Sequence, residues 1–490
     1  MSFRSTTTRI LASVDLVRQS LFQDDSLPFA DALLSEHIEQ AFEAEGVSFG
    51  EPGVHEDAEI VYTMGVTLWA MLSQAIFTGF QRSCRAAVQR VAVYLALAGR
   101  EVSSTNTGAY CRARAKVPES VIRRLAEGVA ERCEATVPDE FRWHGFRTLV
   151  IDGTTFSMPD TPENQAEYPQ STAQEAGLGF PIMRAVALTS LATGMAIALA
   201  TGPYAGKETG ETALFRTLFE VLRSGDLVLA DRYYGGWFML ALLQQLGVEF
   251  VTRLHQYRSV DFTQGKRLGK GDHVTSWVKP QRPAWLDKET YDRLPDQLEV
   301  REIEVQVATP GFRTRSLIVV TSLLDSKLYS KSEVATLYRR RWSVELELRD
   351  IKSTMQLDVL RCLTPEAVRR ELWTGLLAYN LVRQSMLQSA HAGGLLPNQL
   401  SFAASLQMLT TTWVLAAVPS IASIDACQRV IALRILNGHS HQVDNRPNRV
   451  EPRAVKRRPS PIAILTTQRE TARNALIESQ KKLSDHSQTT

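Results

Sequence analysis

The spacing of apolar residues along this chain changes twice. Over residues 1–135 it is helical: Leu33 to Phe42, Ile60 to Phe80 and Cys84 to Leu97 carry apolar side chains three or four apart, and Gly99 closes the last run. A polar break from Ser103 to Gly108 separates these from a helix opening near Pro118, a residue suited to a first helical turn. From residue 147 the runs become short and continuous. Thr148-Leu-Val-Ile-Asp152 and Leu227-Val-Leu-Ala-Asp231 read as buried strands, and residues 182–204 as strands about a Thr193-Gly194 turn. A helix is expected near Thr212 to Arg223. Residues 249–324 read as strands again, with Val300 to Val307 and Arg315 to Ser322 as neighbours, and helical spacing resumes near Lys331 and runs to Leu436. Strands, a helix and another strand in succession predict a mixed α/β layer.

Length and composition narrow the class. At roughly 150 residues per domain, 490 residues imply about two to four units, and 44% hydrophobic residues can bury a sizeable core. With 55 basic against 53 acidic residues the net charge is only +2, so contact with a polyanion must come from local patches. The cysteines at 84, 111, 133, 362 and 427 form no CxxC pair and leave one over, which points to a reducing compartment. MSFRSTTTRI at the N-terminus lacks the apolar core of a signal peptide, and Ser73 and Gln74 break the most apolar stretch, Met64 to Phe80. A buried helix and a cytoplasmic protein with no membrane partner are the expectation.

Candidate chemistry lies in three acids. Asp152 and Asp231 each end an apolar strand. Strands often finish at a polar residue, so that position alone leaves an ordinary role open. Carboxylates beside an apolar core must be paired, protonated or bound to a cation, and oxygen ligands suit Mg²⁺ or Mn²⁺. The third acid is sorted by helical geometry. At about 100° per residue, Tyr338, Arg341, Glu345, Arg349 and Lys352 share a stripe about 80° wide. Leu337, Val344, Leu348, Ile351 and Met355 form an adjacent apolar stripe, and Glu347 projects among solvent-facing positions. A salt-bridged surface helix, with Glu345 between Arg341 and Arg349, is the plainer alternative.

At these residues a family likeness enters. Tyr338-x2-Arg341-x3-Glu345-x6-Lys352, within YRRRWSVELELRDIK, resembles the YREK signature of the DDE-type insertion-sequence transposases of the IS-four family. LVIDGTTFSMPDTPEN (149–164) and LVLADRYYGG (227–236) resemble that family's first and second catalytic blocks, and RPNRVEPRAVKRRPSP (446–461) is similar to its tail. The resemblance implies an α/β, ribonuclease-H-like catalytic core over 136–240 and 326–390. It also implies a β-rich insertion over 241–325, a helical DNA-end-binding region over 1–135 and a helical C-terminal region over 391–490 with a basic tail, for dimerisation or DNA contacts. Asp152, Asp231 and Glu345 would hold two Mg²⁺ or Mn²⁺ ions. Tyr338, Arg341 and Lys352, with Arg349 on the same stripe, would hold DNA phosphates. The implied partners are the terminal inverted repeats and target DNA, both double-stranded, bound by a homodimer associated with the nucleoid.

Weaker signals stay open at this point. Arg446, Arg449, Arg453, Lys456, Arg457 and Arg458, against Glu451 alone, read as an arm on DNA phosphates or as a solvated linker. Arg82, Arg85 and Arg90, and Arg112, Arg114 and Lys116, are DNA-contact candidates or plain surface. Some relatives stack a flipped base on a Trp about 20 residues before the YREK tyrosine. That neighbourhood here holds Leu317, leaving Trp277 and Trp285 to stack a base or simply to pack. His439 and His441 read as a loop pair rather than a metal site. A DNA-binding derivative that does not cut, and a ribonuclease-H-like nuclease or recombinase with no mobile element, also remain alternatives.

Overall fold

The computed structural model describes residues 35–47, 61–97, 102, 104–306, 316–416, 424–442 and 467–487. The basic arm with Arg453, Lys456, Arg457 and Arg458 lies outside the described residues. Among the described residues five α-helices come first: α1 (Ser35–Glu43), α2 (Met64–Ile76), α3 (Cys84–Leu97), α4 (Gly108–Lys116) and α5 (Glu119–Ala135). Thr63 caps α2 by accepting a bond from the Val66 amide at 3.3 Å, and nearly every residue of α2 is buried. A helix apolar on all sides belongs in a core, and among the described residues no helix is long and apolar enough to cross a membrane.

This packing corrects one set of DNA-contact candidates. Arg82 and Arg90 are buried. Arg82 donates to the carbonyls of Met355 and Gln356 and pairs with Glu371 at 3.3 Å, while Arg90 binds Ser73 Oγ at 3.1 Å and the Gln81 carbonyl at 2.7 Å. Their charges satisfy backbone and side-chain acceptors inside the protein, which helical spacing alone did not reveal. Arg85 and Arg112 remain exposed.

A nine-stranded sheet follows. In chain order its elements are β1 (Arg147–Ser157), α6 (Pro162–Glu167), β2 (Ile182–Ser190), β3 (Ala196–Pro203), α7 (Glu211–Thr217), β4 (Asp226–Leu229), α8 (Trp237–Gln245), β5 (Glu249–Arg253), β6 (Lys266–Gly269), β7 (Asp272–Val278), α9 (Lys288–Arg293), β8 (Gln297–Gln306) and β9 (Ser316–Thr321). The spatial order is β3-β2-β1-β4-β5-β9-β8-β7-β6. β1, β2 and β3 pair antiparallel, whereas β1, β4 and β5 run parallel. The first five strands thus have the ribonuclease-H-like arrangement. β5 falls inside the stretch expected as an insertion, yet it belongs to this group of five. β6 to β9 do not form a separate sheet; β9 pairs antiparallel with β5 and extends the same one. Short β6 carries exposed Lys266 and Arg267.

The closing elements are α10 (Lys331–Arg340), α11 (Ser343–Arg349), α12 (Pro365–Ala392), α13 (Phe402–Ala416), α14 (Ile424–Ser440) and α15 (Arg469–Ser487). Thr364 caps α12 by accepting from the Ala367 amide, and Pro365 occupies its first turn. This long, largely buried helix packs on α2, α5, α13 and α14, joining the N- and C-terminal helices into one layer. Trp69 of α2 stacks on Trp413 of α13 with ring centroids 5.7 Å apart. Asn380 of α12 bonds the Ala126 carbonyl on α5 and both the amide and carbonyl of Ala196 on β3, so helices and sheet share one frame. His439 lies at the end of α14 against the Ser389 carbonyl, and the four cysteines with described side chains are free.

Candidate active site

Strand lengths explain where the acids emerge. β4 pairs with only Arg147 to Val150 of β1 and then stops. Beyond Val150 β1 therefore loses its neighbour on that side, and over Asp152 to Thr155 its burial is only partial. Asp152 stands at this opening, and Asp231 stands just past the end of β4. Ligand sites in open α/β sheets lie at the carboxyl ends of parallel strands.

Local bonds fix both acids. The Gly153 amide donates to Asp152 Oδ1 at 2.9 Å. Asp231 caps a short turn, its Oδ1 accepting from the Tyr233 amide at 2.7 Å, and Thr252 Oγ1 donates to its carbonyl at 2.8 Å.

Glu345 arrives from the helical side. Ser330 and Glu333 form a reciprocal capping box that starts α10. The helix then tightens: Arg341, Trp342 and Val344 each donate three residues back, to Tyr338, Arg339 and Arg341. Arg341 Nη2 lies 3.1 Å from Glu345 Oε1, and the Glu345 side chain is 54% exposed. Burial pushes the Asp152 carboxyl up to about 6; the Gly153 amide and Arg341 oppose that rise, and the charges of Asp231 and Glu345 add to it. The three acids therefore share one electrostatic neighbourhood.

The basic stripe lines the approach. Tyr338, Arg341, Trp342, Arg253, Arg232 and Leu317 enclose an open cleft of about 430 Å³ with Asp231. Tyr338 is buried, which raises its hydroxyl, and it lies close to Arg341 and Asp231. Burial lowers the Arg341 guanidinium, but Tyr338, Asp152 and Glu345 outweigh that and hold it above its ordinary range. Lys352 Nζ sits 5.9 Å from the Phe156 ring centre, on the strand that carries Asp152. Arg349 is exposed and lies 4.0 Å from Asp350 rather than against the three acids.

Glu347 is the clear correction. The helical wheel sends it to solvent; it is instead 6% exposed. Residues 337–355 are not one helix, because a tight turn at Arg341–Trp342 and a widened turn over Asp350–Thr354 interrupt the regular rotation. A charge partner far along the chain also changes its environment. Arg383 of α12 lies 3.7 Å from Asp350 and draws on Glu347 as well. Burial nonetheless holds both carboxyls above the ordinary range. Tyr379 bridges this ionic layer to the β2–β3 hairpin, accepting from Arg383 Nε at 2.9 Å and donating to the Gly194 carbonyl at 2.7 Å. Gly194 has φ +70°, and a Cβ there would come within 2.9 Å of the Arg383 guanidinium.

The two tryptophans weighed as base stackers are engaged in packing. Trp277 is buried, donates to Glu302 Oε1 at 2.9 Å and lies under Arg258; Trp285 lies under Arg216. Sequence reading missed Glu211, Tyr234, Arg232 and Arg253 around the cleft. The glycine following Asp152 was the available signal, since it permits a close approach. No three His, Cys, Asp or Glu side chains converge into a ready metal cage among the described residues. The donor set is nonetheless all oxygen, and mutual repulsion around a half-buried Asp152 is what a hard divalent cation relieves.

The profile of the transposase DDE domain matches residues 143–381, the span containing all three acids. The chain is 30% identical over 359 residues to the transposase InsG of insertion sequence element IS4 from Escherichia coli K12, covering 72% of this chain and 76% of that protein. A putative transposase InsZ from the same organism is 30% identical over 106 residues, covering 21% of this chain and 34% of its own length. The chain belongs to the DDE transposases, enzymes that catalyse DNA cleavage and strand transfer. Within them it is a member of the IS4 family. A piggyBac transposase synaptic complex with hairpin DNA, solved by cryo-EM, aligns over 86% of this chain and 84% of its own, with a TM-score of 0.43 and 11% identity.

Proposed function

We propose that this transposase moves its element by cut and paste, with Asp152, Asp231 and Glu345 as the acids that hold two Mg²⁺ or Mn²⁺ ions. The observation that supports this reading is electrostatic: the charges of Asp231, past the end of β4, and Glu345, on α11, both bear on Asp152 of β1, beside a cleft rimmed by Arg341, Arg253 and Arg232. Divalent ions bound there would activate the attacking oxygen and stabilise the leaving one. Water, and later a DNA 3′-hydroxyl, attacks phosphorus in line, and the opposite phosphorus–oxygen bond breaks.

The chain's own groups hold the substrate. Arg341 presents a guanidinium fork to a phosphate beside the cut, and Lys352 adds a point charge. Tyr338 keeps its proton through burial and remains a hydroxyl donor. When DNA phosphates draw Arg341 away, Glu345 is released to turn toward Asp152 and Asp231. The N-terminal helices and the basic segment 446–458 would grip the terminal inverted repeats, and two copies of the chain would pair the ends. A cleavage assay on DNA carrying the element's own ends, in Mg²⁺ or Mn²⁺, tests this reading. Cutting by the wild type and none by Asp152→Ala, Asp231→Ala or Glu345→Ala, with end binding intact, supports it. Retained cutting in any of the three removes that residue from the site.

A further inference from the structure

Another carboxylate reaches the end of β1 and β4. Glu211 opens α7 directly after Gly210, and its Oε2 accepts from the hydroxyl of buried Tyr234 at 3.2 Å. A Cβ added to Gly153 would stand 2.2 Å from the Glu211 carboxyl carbon, and 2.5 and 2.6 Å from its oxygens. The carboxylate thus fills the space left by the missing side chain next to Asp152. On its other flank, Glu211 shares a cleft of about 330 Å³ with Asp231, Arg232, Tyr233, His255 and Gln256.

Charge balance at this position is incomplete. Among the described residues no ion pair within 4.0 Å involves Glu211, Asp152 or Asp231, although Glu345 is paired with Arg341. All three unpaired acids are half-buried. Like charges gathered at a partly dry site carry a desolvation and repulsion cost that a divalent cation removes. Any residue larger than glycine at 153 would collide with the Glu211 carboxylate.

We propose that Glu211 is a fourth oxygen ligand of the divalent-ion site at Asp152 and Asp231, an inference that rests on the transposase reading of that site. A purely structural Glu211 would only anchor Tyr234, and glutamine keeps that acceptor. The two roles therefore separate in Glu211→Gln.

The test is titration of the full-length chain with Mn²⁺, the free ion being counted by electron paramagnetic resonance. Wild type is compared with Glu211→Gln, Asp152→Asn, Asp231→Asn and Glu208→Gln, the last altering an exposed glutamate paired with Arg216. The expected result is at least tenfold weaker Mn²⁺ binding for Glu211→Gln and for both aspartate variants, with Glu208→Gln unchanged. Wild-type affinity in Glu211→Gln, alongside loss in Asp152→Asn, overturns the fourth ligand and leaves the three-acid site standing. Unchanged affinity in both aspartate variants overturns the site reading itself, and this inference with it. Should Glu211→Gln lose its cooperative melting transition, Gly153→Ala decides the matter, because it keeps every acid and displaces only the Glu211 carboxylate. A tenfold loss there supports the proposal, and wild-type affinity overturns it.

Discussion

Glu345 and Glu347 lie two residues apart on α11 and occupy opposite electrostatic worlds. On the cleft side Glu345 is solvent-exposed, paired with Arg341 at 3.1 Å, and its charge bears on Asp152. On the inner side Glu347 and Asp350 are buried around Arg383, with Tyr379 tying the group to the β2–β3 hairpin. The first arrangement leaves acids short of cations and so ready for a ligand. The second supplies its own cation and so holds α11 against the sheet. On the proposed reading, chemistry and support are divided between the two faces of a single helical turn.

That division can be broken experimentally. The largest effect should come from Asp152→Asn, Asp231→Asn or Glu345→Gln, each reducing DNA cleavage to background. Urea denaturation of Glu345→Gln should shift by less than about 1 kcal/mol, the scale of an exposed ion pair. A large stability loss there would show that the cleft face is also structural. Glu347→Ala should do the reverse: emptying a fully packed position between α11, Arg383 and the sheet should cost more stability than that surface pair, read by the same denaturation, while the fraction still folded continues to cut DNA. Full stability in Glu347→Ala would collapse the distinction.

A smaller change is expected for Lys352→Ala. Filter binding across a salt series should show weaker binding to all sequences and a salt slope reduced by about one. An unchanged slope would remove Lys352 from the phosphate path. The smallest effect concerns pH. Burial raises the Asp350 carboxyl above its unfolded value. Its stabilising contribution is therefore present below the unfolded pKa and declines as pH rises through the folded one. Asp350→Asn should flatten that decline in melting temperature between acid and neutral pH, and a steeper decline would contradict the sign.

Much of the catalytic half was legible because its signals are local. The run Leu227 to Ala230 does give a strand that stops just before Asp231, whereas β1 runs on through Asp152 to Ser157, so Asp152 lies within its strand and not at its end; the apolar stripe of Leu337, Val344, Leu348, Ile351 and Met355 is buried throughout. Glu347 was misread because a regular 100° rotation assumes an unbroken helix, and because Arg383 enters from another helix. Arg82 and Arg90 looked like surface for the same reason, their acceptors lying on other segments. Glu211 itself carried no signal; Gly153 hinted at a close approach, but which group makes it depends on how α7 sits over the sheet. The extent of the sheet was also hidden, since pairing between β5 and β9 joins segments separated by the whole β6–β8 excursion.

That pairing also decides which strand forms the exposed edge of the sheet. Without β9, the unpaired flank of β5 would present amides and carbonyls to any passing extended chain. The excursion instead moves the outermost strand to β6, which is only Lys266–Gly269 and points two cations at its surroundings. Short, positively charged edges resist strand-to-strand addition between molecules. The β6–β9 extension thus leaves a short, charged strand at that edge of the folded sheet, where strand addition by another molecule is disfavoured.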